Sequence, residues 1–309
     1  IKYLIQKVVY KLIIVFIISL WVTSVSSENW HRSHANNFSD KYSKTNQIDF
    51  QNIINLNKAW IYNSGFTPKE RDTVQTNPIF TGKLIITSTL NDEIIGLHPK
   101  TGELIFKTEV PNGARRGLTF VNHPKYKEFL LVPSSNGVHI LDHENGKLLK
   151  KFGINGIIGE GTSYLPPVFH KDAVITVNLF SIENRNFLNG KLNWSFNIEK
   201  DDVSPAMWSG FSFDHETNII YVVTGNPKGF IGVDRNNTND FSCSLLAIDG
   251  RNGKLLWQYQ DTKHDIWDFD MVGPPIISRV NNTKIVIGFS KTGNKIVLNS
   301  KTGKPFYKD

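Results

Sequence analysis

Five short segments of the 309-residue chain repeat one turn: HPKTGELIF, DHENGKLLK, NFLNGKLNW, DGRNGKLLW and NSKTGKPFY. Each joins a polar corner to a Gly and a charged residue, and usually to a large residue four positions after the Gly. The glycines are Gly102, Gly146, Gly190, Gly253 and Gly303, spaced 44, 44, 63 and 50 residues apart. Such a pitch suits one four-stranded sheet per repeat. Between the turns lie short runs rich in β-branched residues, among them KLIITSTL, FLLVPSS, AVITVN, IIYVVTG and KIVIGFS, and no helix-period stretch interrupts them. Asn-Gly and Thr-Gly pairs supply the positive φ that tight hairpins need. A radial array of such sheets protects the edges that would otherwise invite aggregation. The expected fold is therefore all-β, a β-propeller of four-stranded blades. The turns themselves read as structural, with Trp194 and Trp257 expected to pack between neighbouring blades. The repeat of 63 residues carries an insertion, including SPAMWSGFSFD and TGNPKGFIGVDRNNTNDFSC, of the kind on which propellers build sites.

Ahead of the repeats, Lys2, Lys7 and Lys11 flank and precede an apolar stretch from Leu12 to Trp21, followed by small residues to Ser27. Residues 1–26 read as a secretory signal peptide with cleavage near Ser26, and an uncleaved anchor is the alternative. Both place the folded part, residues 27–309, outside the cytoplasm, and the expected location is periplasmic. Cys243 is the sole cysteine, which excludes an intramolecular disulfide, and none lies where a lipoprotein would need one. The net charge of +7 includes the three leader lysines, so the remainder is too mildly basic to argue for nucleic acid. The chain opens on Ile and stops after the fifth turn, and so reads as a fragment.

Residues 264–270, HDIWDFD, crowd three carboxylates among two large rings. This is either an acidic turn or a place where one aspartate takes a proton. With LLAIDGRNGKLLWQYQ before it, TGNP and ARRGLTF upstream and NWHRSHANNFSDKYS near the start, the text resembles the quinoprotein dehydrogenases, eight-bladed propellers that use pyrroloquinoline quinone (PQQ). The resemblance runs from about Trp30 to the last residue and is most specific over 208–291; five of the eight blades are present.

That resemblance implies roles position by position. Asp268 matches the catalytic base and Asn226 a ligand of the calcium ion set against the quinone. Trp208 matches the indole on which the flat cofactor stacks, Arg116 the arginine pairing with its oxygens, and Lys291 the cation near its carbonyls. Asp265 and Asp270 do not match the base and are expected to bond to loop backbone. A planar, multiply anionic quinone suits an aromatic platform with fixed cations, and calcium takes oxygen ligands such as the Asn226 amide and the Asp268 carboxylate. Beside calcium and Lys291, Asp268 is expected to stay ionised, as a base must. Taken singly, each of these residues has a plain structural reading: a turn former, blade core, or a solvated charge. Their joint occurrence at family-like spacing is what points to chemistry.

Three departures bear on the cofactors. Gln75, in VQTNP, stands where many relatives carry a Glu near the cofactor; the vicinal cysteine pair of some relatives is missing; and the loop that would bring a calcium-binding Glu is short, with Glu183 as its only acid. Two functions follow. One is a periplasmic dehydrogenase, dependent on PQQ and Ca²⁺, that oxidises an alcohol or sugar and passes electrons to a membrane quinone or cytochrome c. The other is a non-catalytic propeller acting as a protein-binding scaffold in the cell envelope.

Overall fold

The computed structural model describes residues 30–67, 69, 75–199, 204–227 and 240–307. The expected leader, residues 1–26, and the 228–239 portion of the long insertion lie outside them. Blade 1 contains β1 (Ile79–Phe80), β2 (Ile85–Ser88), β3 (Glu93–Leu97) and β4 (Leu104–Glu109). Blade 2 contains β5 (Thr119–His123), β6 (Lys127–Ser134), β7 (Gly137–Asp142) and β8 (Ile157–Ile158). Blade 3 follows with β9 (Val168–His170), β10 (Ala173–Val177), β11 (Ser181–Asn186) and β12 (Leu192–Asn197). Blade 4 is β13 (Phe211–Asp214), β14 (Ile219–Val223), β15 (Ser244–Asp249) and β16 (Leu255–Gln260). Blade 5 shows three strands, β17 (Met271–Val280), β18 (Thr283–Ser290) and β19 (Lys295–Asn299). Within each sheet every strand pairs antiparallel with its chain neighbour. The only helical element among the described residues is a 3-10 turn at Ile53–Asn55, and no helix there is long and apolar enough to cross a membrane.

Burial follows strand position. The middle strands β10, β14 and β15 are buried at every residue, as strands covered on both faces must be. The fourth strands β12 and β16 keep most residues exposed or half-exposed. The apolar side chains gather in four clusters, each between two successive blades. Phe120 and Leu130 meet Ile86 and Phe106; Phe129 and Ile140 meet Val174 and Phe187; Val168 and Ile175 meet Phe213 and Val222; Tyr221 and Leu245 meet Ile277 and Val286. At about 1.5–3 kcal/mol for each fully buried large apolar side chain, these faces are what hold blade to blade.

The repeated turn forms a second joint. All five turn glycines have left-handed backbones, with φ between 68° and 75°. Each also lies under a side chain from the preceding unit. A Cβ on Gly253 would stand 2.6 Å from the Trp194 ring and one on Gly303 2.6 Å from that of Trp257. The indole N–H of Trp194 donates to the Gly250 carbonyl and that of Trp257 to the Ser300 carbonyl. Trp60 stacks on Gly102 in the same way and donates to the Pro99 carbonyl. At Gly102, Gly146, Gly253 and Gly303 Gly is therefore required twice, for its φ and for the ring above it, whereas Gly190 meets only Ile154 in ordinary contact.

A third element was not foreseen from the sequence. The segment 30–39 runs along the first strands of the blades as a thread. The amide of Phe80 donates to the Trp30 carbonyl, Phe120 to His31, Phe213 to Asn37 and Ile277 to Phe38. Blade 3 joins through Arg32, whose Nη2 donates to the Pro166 carbonyl at 2.5 Å. Left-handed residues at Ala35 and Ser39 let the thread change direction between blades. These contacts identify the first strand of each blade as the one facing the hub.

Candidate functional site

In an antiparallel blade, the start of the first strand and the end of the second lie at the same edge. Gln75, Arg116, Trp208 and Asp268 each precede a first strand, whereas Asn226 and Lys291 each follow a second. All six residues singled out in the sequence therefore fall on one rim, and the side chains confirm it.

Trp208 is the centre of the group. The Arg116 guanidinium lies over its ring at 4.8 Å from the centroid, and the Lys291 ammonium at 5.9 Å. Burial, then the neighbouring Arg115 charge, lower the Arg116 pKa. Arg116, Gln75 and Trp208 also line one cavity of about 290 Å³.

On the other side of the group, Lys291 Nζ bridges two carboxylates, at 2.8 Å from Asp268 Oδ2 and 2.6 Å from Asp270 Oδ2. Burial opposes the Lys291 charge, but its hydrogen bonds to the two aspartates outweigh that and raise its pKa. Asp270 is almost fully buried and also accepts the Asn226 backbone N–H, whereas the Asp268 side chain is about half exposed. The Asn226 side chain lies against both. With its nitrogen toward the acids it donates to Asp270 Oδ1 at 2.9 Å and Asp268 Oδ1 at 3.2 Å. With its oxygen there, three oxygens converge, an arrangement that only a cation would stabilise.

The loop that carries Asp268 is set by Asp265. This carboxylate is fully buried and accepts the backbone N–H groups of Trp267 at 2.9 Å and Phe269 at 2.8 Å, with the Cys243 thiol donating to it as well. Asp268, held between those two amides, adopts a left-handed backbone with φ 64°. Asp265 thus bonds to loop backbone as the sequence suggested. Asp270 does so too, and in addition shares Lys291 with Asp268. That part was missed, although carboxylates at i and i+2 leading into a strand are disposed to the same side. Gly225 was also overlooked: a Cβ there would run into Asp270 Oδ1 and Trp208 Nε1. Glu183, the one acid of the shortened loop, is paired with Arg185 at 2.7 Å. Among the described residues, no group of three His, Cys, Asp or Glu side chains is placed to hold a metal.

Comparison with known proteins gives one family. Residues 30–174 and 182–308 match the model described as the PQQ glucose/ethanol/alcohol dehydrogenase, beta-propeller domain. The chain is 24% identical to quinoprotein glucose dehydrogenase A of Acinetobacter calcoaceticus over 356 aligned residues, covering 92% of this chain and 44% of that protein. It is 27% identical to quinoprotein alcohol dehydrogenase PedH of Pseudomonas putida over 227, covering 70% and 36%. The chain thus spans less than half the length of these relatives. Among solved structures, a europium-containing methanol dehydrogenase superposes with a TM-score of 0.73 at 20% identity, over 91% of this chain and 58% of that one. The quinohemoprotein alcohol dehydrogenase of Comamonas testosteroni gives 0.73 at 21%, over 92% and 49%. These likenesses show the propeller fold.

Proposed function

The chain belongs to the PQQ glucose/ethanol/alcohol dehydrogenase β-propeller family, and on that footing we propose that the whole protein oxidises an alcohol or sugar outside the cytoplasm. The observation that carries the reading is the arrangement around Trp208, where two cations lie over an indole and one of them bridges a pair of carboxylates.

The residues fit the implied cofactors in chemistry. A half-buried indole with guanidinium and ammonium groups over it suits a flat polyanion such as PQQ. Asn226, Asp268 and Asp270 offer an all-oxygen donor set, which suits calcium, although three side chains furnish only part of its usual six to eight ligands. Bound at this rim, PQQ supplies the two-electron acceptor and calcium the Lewis acidity that promotes hydride transfer.

The chain's own residues do the rest. Trp208 orients the acceptor and Arg116 pairs with its carboxylates. Asp268, half exposed beside Lys291, takes the substrate's hydroxyl proton. Lys291 holds that carboxylate in place, and Asp270 fixes Lys291 from the buried side. Gln75 lines the same cavity as Arg116 and Trp208 and offers it a neutral amide. Electrons then pass to a membrane quinone or cytochrome c. A protein-binding scaffold would need neither the bridged acid pair nor the cationic cover on Trp208.

The test is reconstitution of the full-length protein with PQQ and Ca²⁺ and a dye-linked assay over alcohols and aldoses. The expected result is stoichiometric PQQ binding with substrate-dependent dye reduction. Absence of both would leave the scaffold reading in its place.

A further inference from the structure

The five repeated turns carry charges that neither the fold nor the Trp208 rim uses. Each follows the third strand of its blade, so all lie at the edge opposite the rim of Gln75, Arg116, Trp208 and Asp268. The turn needs its Gly but not a lysine beside it. Yet every turn presents one: Lys100, Lys147, Lys191, Lys254 and the pair Lys301 and Lys304. All six are exposed, and among the described residues none forms a salt bridge. Most carboxylates of that edge already hold a cation of their own. Glu144 holds Lys83, Asp172 holds Lys125, Asp249 holds Arg251, and Asp214 and Glu216 share Lys284. The turn lysines are therefore surplus positive charge.

The opposite edge has the other sign. The fourth strands of blades 1 to 4 end on or lead into Glu109, Glu160, Glu199 and Asp261. Between the two ends, β12 and β16 read LNWSFN and LLWQYQ and carry no charge. Lysines that served only to keep edge strands from pairing with other chains could stand anywhere along them. Here they are confined to one end, so the propeller is polarised along its axis. Two large apolar side chains stand among them: Ile154 and Leu188 are 64% and 45% exposed, and Ile154 lies against Gly190, next to Lys191.

We propose that the turn edge is a docking surface for an anionic phospholipid bilayer, with the Trp208 rim turned toward water. Turns from five blades share one circumference, and a flat, extended anionic surface can meet all of them at once, whereas a peptide or a small acid reaches only one or two. Each lysine adds an attraction that salt screens, and Ile154 and Leu188 enter the headgroup layer between them. Strands of six residues hold the rim about 20 Å above the lipid.

Flotation of the full-length protein with vesicles tests the surface, and its outcome does not depend on whether the protein oxidises a substrate. Mixed phosphatidylglycerol and phosphatidylcholine vesicles should bind it more tightly than phosphatidylcholine alone at about 50 mM salt, and that gain should vanish at about 500 mM. The triple variant Lys147→Gln, Lys191→Gln, Lys254→Gln, at exposed positions, should lose about a hundredfold in affinity for the anionic vesicles with its melting temperature unchanged. Glu109→Gln with Glu199→Gln, at the other edge, should not weaken binding. Anionic lipid giving no gain over neutral lipid, or a gain unchanged in the triple variant, overturns the proposal. So does tight binding of polyglutamate without binding to vesicles, which gives the turns to an acidic protein instead.

Discussion

Asp268 has both a left-handed backbone and a half-exposed carboxylate tied to Lys291. Asp265 imposes the first by bonding the amides on either side, and the second leaves the carboxylate reachable from solvent while Lys291 holds it. Asp268→Asn keeps the size and the turn preference but removes the basicity. Turnover should fall by about 10²–10⁴-fold, the usual share of a general base, while PQQ titration reads an unchanged affinity. Gly225→Ala makes the opposite prediction. Its methyl would press on Trp208 and Asp270 together, so PQQ affinity should drop by about tenfold or more, for roughly 1–3 kcal/mol of overpacking. Of these residues, Asp268, Asn226, Trp208, Arg116, Lys291 and Gln75 were legible only by likeness to a family, because each taken alone has an ordinary structural use. Asp270 was legible in principle from its spacing to Asp268. Gly225 was not, since its backbone is unremarkable and only the neighbours that fill its empty side show the need for it.

At the level of strands and turns the sequence was far more transparent. The runs of β-branched residues fall in the observed strands, and the five turn glycines all sit at corners with positive φ. The text was clear here because conformation fixes Gly at all five corners and space under a ring fixes it again at four of them. Gly253→Ala should lower stability by about 2–5 kcal/mol, combining the left-handed penalty with the clash against Trp194. Trp194→Ala removes the ring and with it the clash. In urea denaturation the double variant should therefore be less destabilised than the two single variants together, by about 1–3 kcal/mol. Simple additivity would mean that the indole does not press on the turn. The thread was legible only as a likeness, in NWHRSHANNFSDKYS: WHRSHANNF has no apolar alternation, and apart from the Arg32 side chain its bonds to the blades run through backbone atoms that any residue possesses.

For the whole molecule, burial of His34, with the Arg32 and Lys41 charges beside it, makes part of the stability sensitive to acid. The His34 pKa is near 4 in the folded protein and near 6.5 when unfolded. The unfolded chain therefore gains a proton first as pH falls. Stability is full above about pH 6.5, declines as pH drops toward 4, and changes no further from this group below that. The loss should be on the order of 3 kcal/mol, and His34→Gln should flatten that part of the melting-temperature profile. A slope unaltered by His34→Gln would place the responsible group elsewhere.

The thread also bears on how the molecule is made. The partner of Trp30, Phe80, is synthesised early, but Phe38 must wait for Ile277, by which time the chain of four sheets has been synthesised. Local hairpins can form in order as they emerge, whereas the hub is fastened only by pairings of very high sequence separation. Refolding should accordingly show fast acquisition of β-structure and a slow final phase in which Trp208 and the cavity beside it reach their native surroundings, so that the binding rim is the last part of the protein to become competent.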